Sequence, residues 1–216
     1  MAAAGKDDDP AVAAALSSRL MVDPDLTSQS RGDAALAGGG PASAPIPTIT
    51  RGTEAVTAAR DAASRLLGGS IRSAPSVSQR ADQAFAAEDA ATIAAHALAG
   101  GPSAACAGKL GWSARWAAAL PDALPVYPQG NVQEAAGSDV GGCHLRVINY
   151  RTLVEPSDVL DFYFTGAAKA GFDATHRQEG LDEVLAGKNG TSAYVVYARK
   201  LPDGFTEVDL VTSGGQ

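Results

Sequence analysis

The chain has 216 residues and a formal charge of -7, from 17 basic and 24 acidic side chains. That length suits one good core, or one domain with an appendage. The acidic balance excludes a binder that relies on a basic nucleic-acid footprint, and no apolar run approaches the ~18–20 residues of a membrane span.

Forty-five residues are alanine, which buries little area, and the aromatic side chains are unevenly placed. Phe85 is the only one before residue 110; the other eleven lie between Trp112 and Phe205. Aromatics supply a large share of core burial. The pattern therefore predicts an alanine-rich front half with little core of its own and a back half with a true core.

Residues 1–9 are small, then acidic, and read as a tether. Residues 10–20 are compatible with a short helix capped by Asp9, with Pro10 in its first turn. Residues 23–52, punctuated by Pro24, Gly38–Gly40, Pro41, Pro45 and Pro47, read as a linker or a strap laid over another surface. Residues 53–67 predict a helix that ends at Gly68-Gly69, its stripe formed by Val56, Ala59, Ala63, Leu66 and Leu67. Residues 76–99 predict a second helix, with Ser76 as cap and Phe85, Ile93 and Leu98 as its larger apolar side chains. Residues 112–120 predict a third, with Trp112, Trp116 and Leu120 at spacings of four. Helices so poor in large side chains need another surface to lean on.

From Pro121 the pattern changes. Two strands, 131–136 and 143–152, flank a glycine-rich loop. Glu155-Pro156-Ser157-Asp158 opens a helix whose stripe is Val159, Phe162, Tyr163 and Ala167, and Gly171 closes it. Strand-like runs follow at 172–178, 182–186, 192–199 and 205–212, the last alternating Val208 and Leu210 with Glu207 and Asp209 to give one wet face. The expected fold class is α+β: a C-terminal antiparallel sheet with one packed helix (ββα, then about four strands), preceded by an alanine-rich, mostly helical and partly extended half. The expected organisation is a tether, short helix and strap over 1–52, an alanine-rich helical region over 53–120, an α+β domain over 121–212 and a tail over 213–216.

Cys106 and Cys143 are the only cysteines. A disulfide between them would pin the Trp112–Trp116 helix onto the sheet and imply an oxidising compartment. Two free buried thiols are the alternative. Neither a CxxC nor a nearby His or Cys cluster supports a metal or redox pair. His144 and His176 fall on strands of one sheet, so a zinc or copper pair with Glu179 or Asp182 is conceivable, although strand histidines on a polar face are far commoner. Ser17, Ser18 and Ser213 lack the setting of a nucleophile elbow. Asp7–Asp9 lack the spacing of a calcium loop, and Gly38–Gly40 lack the lysine of a phosphate loop. Tyr150, Tyr163, Tyr194, Tyr197 and Phe164 read as core before they read as a ligand pocket. Phe164 sits off its helix stripe and, with Trp112 and Trp116, is a candidate interface anchor.

The run LPVYPQGNVQEAAG, followed by GCHLRVINYRTLVEPSDVLDFYFTGAAKAGF, is similar to a pattern in uncharacterised periplasmic and outer-membrane lipoproteins of Proteobacteria. Tyr127, Pro128, Thr152, Val159, Phe162, Tyr163, Gly171 and Phe172 carry the likeness, which covers roughly residues 121–212; Gln129-Gly130 departs from the usual entry. The start, MAAAGKDDD, resembles a processed lipoprotein signal, with Ala4 where the lipid-bearing cysteine would stand. The resemblance implies a periplasmic, outer-membrane-anchored protein and brings no catalytic residues with it. The expectation is a non-enzymatic accessory or docking subunit of a larger membrane-associated assembly. It needs no cofactor and binds no nucleic acid, and it touches the membrane only through an N-terminal lipid. The alternative is a periplasmic small-molecule or peptide binder that uses the crevice between helix and sheet.

Overall fold

In a computed structural model, the described residues are 51–81, 90–98 and 104–214. Residues 1–50 of the tether, short helix and strap expected over 1–52, Ala4 among them, and Phe85 of the second helix lie outside the described residues. The described part is α+β: an eight-stranded, mostly antiparallel sheet with helices on both faces. Its strands are β1 (Gln79–Ala81), β2 (Gly111–Trp112), β3 (Asn131–Ser138), β4 (Leu145–Thr152), β5 (Thr175–Glu179), β6 (Asp182–Asn189), β7 (Ser192–Lys200) and β8 (Thr206–Ser213). Their order is β1-β5-β6-β7-β8-β4-β3-β2, and only the β1–β5 pair is parallel.

Helix α1 (Thr53–Leu66) forms as its pattern predicts and ends at Gly68 and Gly69, both at positive φ. Ala59 and Ala63 are buried, and Val56 and Leu67 pack beside them on a core made by other elements. The chain then differs from the sequence expectation. Ser76 does not cap a helix, because residues 70–78 run extended and lead into β1. This segment finds its hydrogen bonds on helix α4 (Pro156–Lys169). Thr165 Oγ1 accepts from the Arg72 N–H (2.8 Å) and Asp161 accepts from the Ala74 N–H (2.7 Å). A helix in this stretch would forgo those bonds, and Pro75 further disfavours helix at Ala74. Of the second helix, the described residues include α2 (Ala90–Ala97), with Ile93, Ala94 and Leu98 buried. The predicted Trp helix is also shorter: Trp112 belongs to β2, and only α3 (Arg115–Ala118) is helical.

Helix α4 starts with a capping box, Glu155 accepting from the helix backbone while Asp158 accepts from the Glu155 N–H. It packs Val159, Leu160, Phe162, Tyr163 and Ala167 on the first face of the sheet, against Ile148, Tyr150, Leu185, Tyr194, Val196, Val208 and Leu210. The second face carries Val147, Val184, Tyr197 and Val211, covered by α2 and the short helical turn Ala104–Lys109. The wet face expected on β8 is therefore absent. The strand is central, flanked by β4 and β7, and Asp209 is only 4% exposed.

Candidate functional site

The disulfide joins Cys106 to Cys143 with 5.5 Å between their Cα atoms. It fastens the turn that follows α2 to the start of β4. The segment pinned to the sheet is thus the cover of the second face rather than the Trp112–Trp116 helix expected from the sequence. Disulfides of this kind persist in oxidising compartments. Among the described residues no helix is long and apolar enough to cross a membrane.

The three proposed aromatic anchors separate. Trp116 is buried in the main core, donates its indole N–H to the Gly111 carbonyl (2.6 Å), and lies under the guanidinium groups of Arg115 and Arg146, each 4.5 Å from its ring. A Cβ on Gly137 would come within 2.6 Å of this ring, so the strand can pass only where it has no side chain. Trp116 is therefore not an interface anchor. Phe164 is partly buried, with the Arg72 guanidinium 5.0 Å above its ring, and is covered by the extended segment of its own chain. Trp112 alone is open: 59% exposed on the edge strand β2, its indole held by Glu134 Oε1 at 2.5 Å.

His144 and His176 do not meet. They belong to the β4 and β5 ends of the sheet order, with β8, β7 and β6 between, a separation of about 19 Å at ~4.8 Å per strand. His176 bonds the Pro75 carbonyl through Nδ1 (2.8 Å) and Glu183 through Nε2 (2.6 Å), which fastens the extended segment to the sheet. His144 sits at the turn into β4 with φ of 42°, uncommon for a residue with a side chain, and faces Asp139 at 3.4 Å. Glu179 pairs with His96 (3.5 Å), and Asp182 with Arg199. Among the described residues no group of three or more His, Cys, Asp or Glu could hold a metal ion.

Most of the remaining candidates are spent on structure. Tyr163 donates to the Pro125 carbonyl (2.8 Å), and its oxygen lies 2.9 Å from that of Tyr150; burial pushes both phenols up. Tyr194 and Tyr197 are buried in the cores of the two faces. On the second face, burial raises the Asp182 carboxyl against the pull of Arg199, and one Asp182 oxygen has no partner. Burial likewise pushes Asp209 up to about 6, opposed by the amide that Asn149 donates to it at 2.7 Å.

One end of the molecule is different. A crevice of about 810 Å³ opens between the loop 119–124, the C-terminal end of α4 at Ala170 and Phe172, the β6–β7 hairpin and the end of β8. Its polar wall includes Asp139, His144 and Arg146 on one side and Ser192, Thr212 and Ser213 on the other. Arg146 is fully engaged. It donates to Asp139 Oδ1 (2.8 Å) and to the carbonyls of Ala119, Ser138 and Leu145, and that ion-paired bond holds the Asp139 carboxyl below its usual range. Thr212 and Ser213 are 2% and 4% exposed, yet their hydroxyls bond to no described residue. The sequence reading placed a crevice between helix and sheet but chose aromatic residues as its lining; it read Ser213 only as part of a tail. The missing signal was that β8 runs one residue further, to Ser213. No protein-family model matches this chain, and no curated protein or solved structure is significantly similar to it.

Proposed function

We propose that this protein is a non-enzymatic module of the cell envelope, facing an oxidising periplasm and docking as an accessory subunit on a larger membrane-associated assembly. The single observation that carries this is Trp112. A tryptophan that is mostly exposed, yet oriented by a carboxylate, has the character of a recognition residue: large apolar area held ready at small entropic cost. The Cys106–Cys143 clasp supports the compartment, and the commitment of Tyr150, Tyr163 and Arg146 to internal bonds supports a role without catalysis. The neighbouring strand edge is poorly suited to strand addition. A bulge interrupts β3 between Val132 and Glu134, and the Gln133 side chain bonds the Asn131 carbonyl at 3.1 Å, so Trp112 is the expected point of contact. The test is a photo-crosslinking residue placed at position 112, with a second at Leu181, another exposed apolar position, as control. Exported in source cells, the protein should give a discrete envelope adduct from 112 that is absent from 181. No adduct from 112, or equal labelling from both, overturns the proposal.

A second reading has its own observation. The crevice at the end of β8 suits a small ligand in size and lining. A docking subunit that also senses a ligand needs both features, and the two lie on different residues.

A further inference from the structure

We infer that the crevice binds a neutral, hydroxyl-rich ligand of one or two sugar rings; this deepens the second reading and rests on it. Three properties of the wall point there.

The first is unspent hydrogen-bonding capacity. Thr212 lines the crevice on the same sheet face as Tyr194, and its hydroxyl has no partner among the described residues; Ser213, the next residue of β8, turns its side chain to the second face. Ser192, the other hydroxyl on this wall, likewise bonds no described residue. Hydroxyls both donate and accept, so a cluster of them matches a ligand whose own groups do the same.

The second is charge. The one guanidinium in the lining, Arg146, is neutralised by Asp139 and saturated by three carbonyls. No unpaired cation among the lining residues is left for a phosphate or carboxylate. Asp122 stands exposed at the mouth, and the C-terminal end of α4 turns its negative end toward the same space, so anions are disfavoured. That negative end is itself moderated: Asn189 donates to the Ala170 carbonyl (2.9 Å), and Lys169 bonds the Leu67 carbonyl close by. The wall is near neutral rather than a cation trap.

The third is shape. Leu120, Leu124 and Phe172 give the crevice an apolar side facing its hydroxyl side, and a pyranose ring has the same two-sided character, with C–H faces and a hydroxyl rim. The volume of about 810 Å³ has room for one or two rings.

The experiment is an amide NMR titration of the oxidised full chain with maltose and with N,N′-diacetylchitobiose, and in parallel with trilysine and inorganic phosphate. A disaccharide should produce saturable shifts at Phe172, Ser192, Thr212 and Ser213. Thr212→Val and Ser192→Ala should each raise its Kd about 3- to 10-fold, the loss of one hydrogen bond, with the melting temperature unchanged. Trp112→Ala should leave it unaltered. If trilysine or phosphate shifts these amides and neither sugar does, the ligand class is wrong while the crevice remains a binding site. If no probe shifts them at millimolar concentration, both fall. Sugar binding that persists in Thr212→Val/Ser192→Ala also overturns the inference.

Discussion

The two faces of the sheet are built on opposite principles. On the first, one fourteen-residue helix brings Val159, Leu160, Phe162 and Tyr163 onto a strand surface of tyrosines, leucines and valines. Packing dominates there: Tyr163 bonds Pro125, while the buried Tyr194 hydroxyl has no partner among the described residues. On the second, the described part of the cover, α2, is mostly alanine, with Ile93 as its one large buried side chain among the described residues of the helix. A cover so poor in large side chains gains little from packing alone. It is held by a covalent link at Cys106 and lies on a sheet that also contains ionisable groups, among them Asp182 and Asp209. Large apolar side chains fix the first face; a cross-link substitutes for them on the second.

The strongest way to break this contrast is to remove the cross-link. Cys106→Ser with Cys143→Ser frees a loop with a sequence separation of 37, worth about 4 kcal/mol in the chain-entropy description. Urea unfolding should lose a stabilisation of that order. Hydrogen exchange should show α2 losing protection while α4 keeps it. Equal loss on both faces would mean that the faces do not differ in what holds them.

Asp209 gives the next largest effect and sharpens the second half of the contrast. Its carboxyl is raised from 3.8 to about 6, chiefly by burial. The folded protein therefore holds a proton that the unfolded chain has released between roughly pH 4 and 6. Stability should be greatest below that window and fall as pH rises through it. A shift of about two units corresponds to about 3 kcal/mol. Asp209→Asn should remove most of the fall, so that the variant is more stable than the parent at pH 7 and similar at pH 4. Thermal melting across pH 4–8 checks this; a wild-type curve flat over pH 4–6 would refute it.

The same division explains what the sequence could show. The first face was legible because its signals are local and periodic: the 159–162–163–167 stripe, the Pro156 start, and the turns at Gly190 and Gly204. The second face was not, because its order comes from contacts distant in sequence. Glu207 and Asp209 alternate with Val208 and Leu210 as an exposed strand would, yet β8 is central and its other side is covered. Residues 76–81 had helical composition, but bonds from Asp161, Thr165 and His176 hold the segment that includes them extended. The crevice escaped for a third reason. Its lining is gathered from six stretches of chain, and an unpartnered threonine in a strand looks in sequence like any other.

A smaller effect tests whether the first face depends on packing alone. Tyr163→Phe keeps the ring but removes the hydroxyl that reaches Pro125 and Tyr150, leaving the buried Tyr150 hydroxyl without its partner. The cost should be about 1–2 kcal/mol in urea unfolding. Tyr150→Phe/Tyr163→Phe should recover part of it, because the second substitution removes the stranded group. Strictly additive losses would show that the two hydroxyls do not act as a pair.

The smallest effect concerns the outer layer. Arg60 of α1 makes a two-pronged bond to Asp158 of α4, at 3.0 and 2.7 Å, with its side chain half exposed. Exposed pairs contribute little, and about 0.5 kcal/mol is the expected loss for Arg60→Ala. Moderate salt should shrink that difference, since water and ions reach the pair. Ala63→Ser at the same helix face should cost more, because it puts a hydroxyl where Ala63 is fully buried in the main core. If the ion pair outweighs the buried alanine, α1 is held on α4 by charge, and the rule that large and small apolar side chains fix the first face stops at the sheet's own helix.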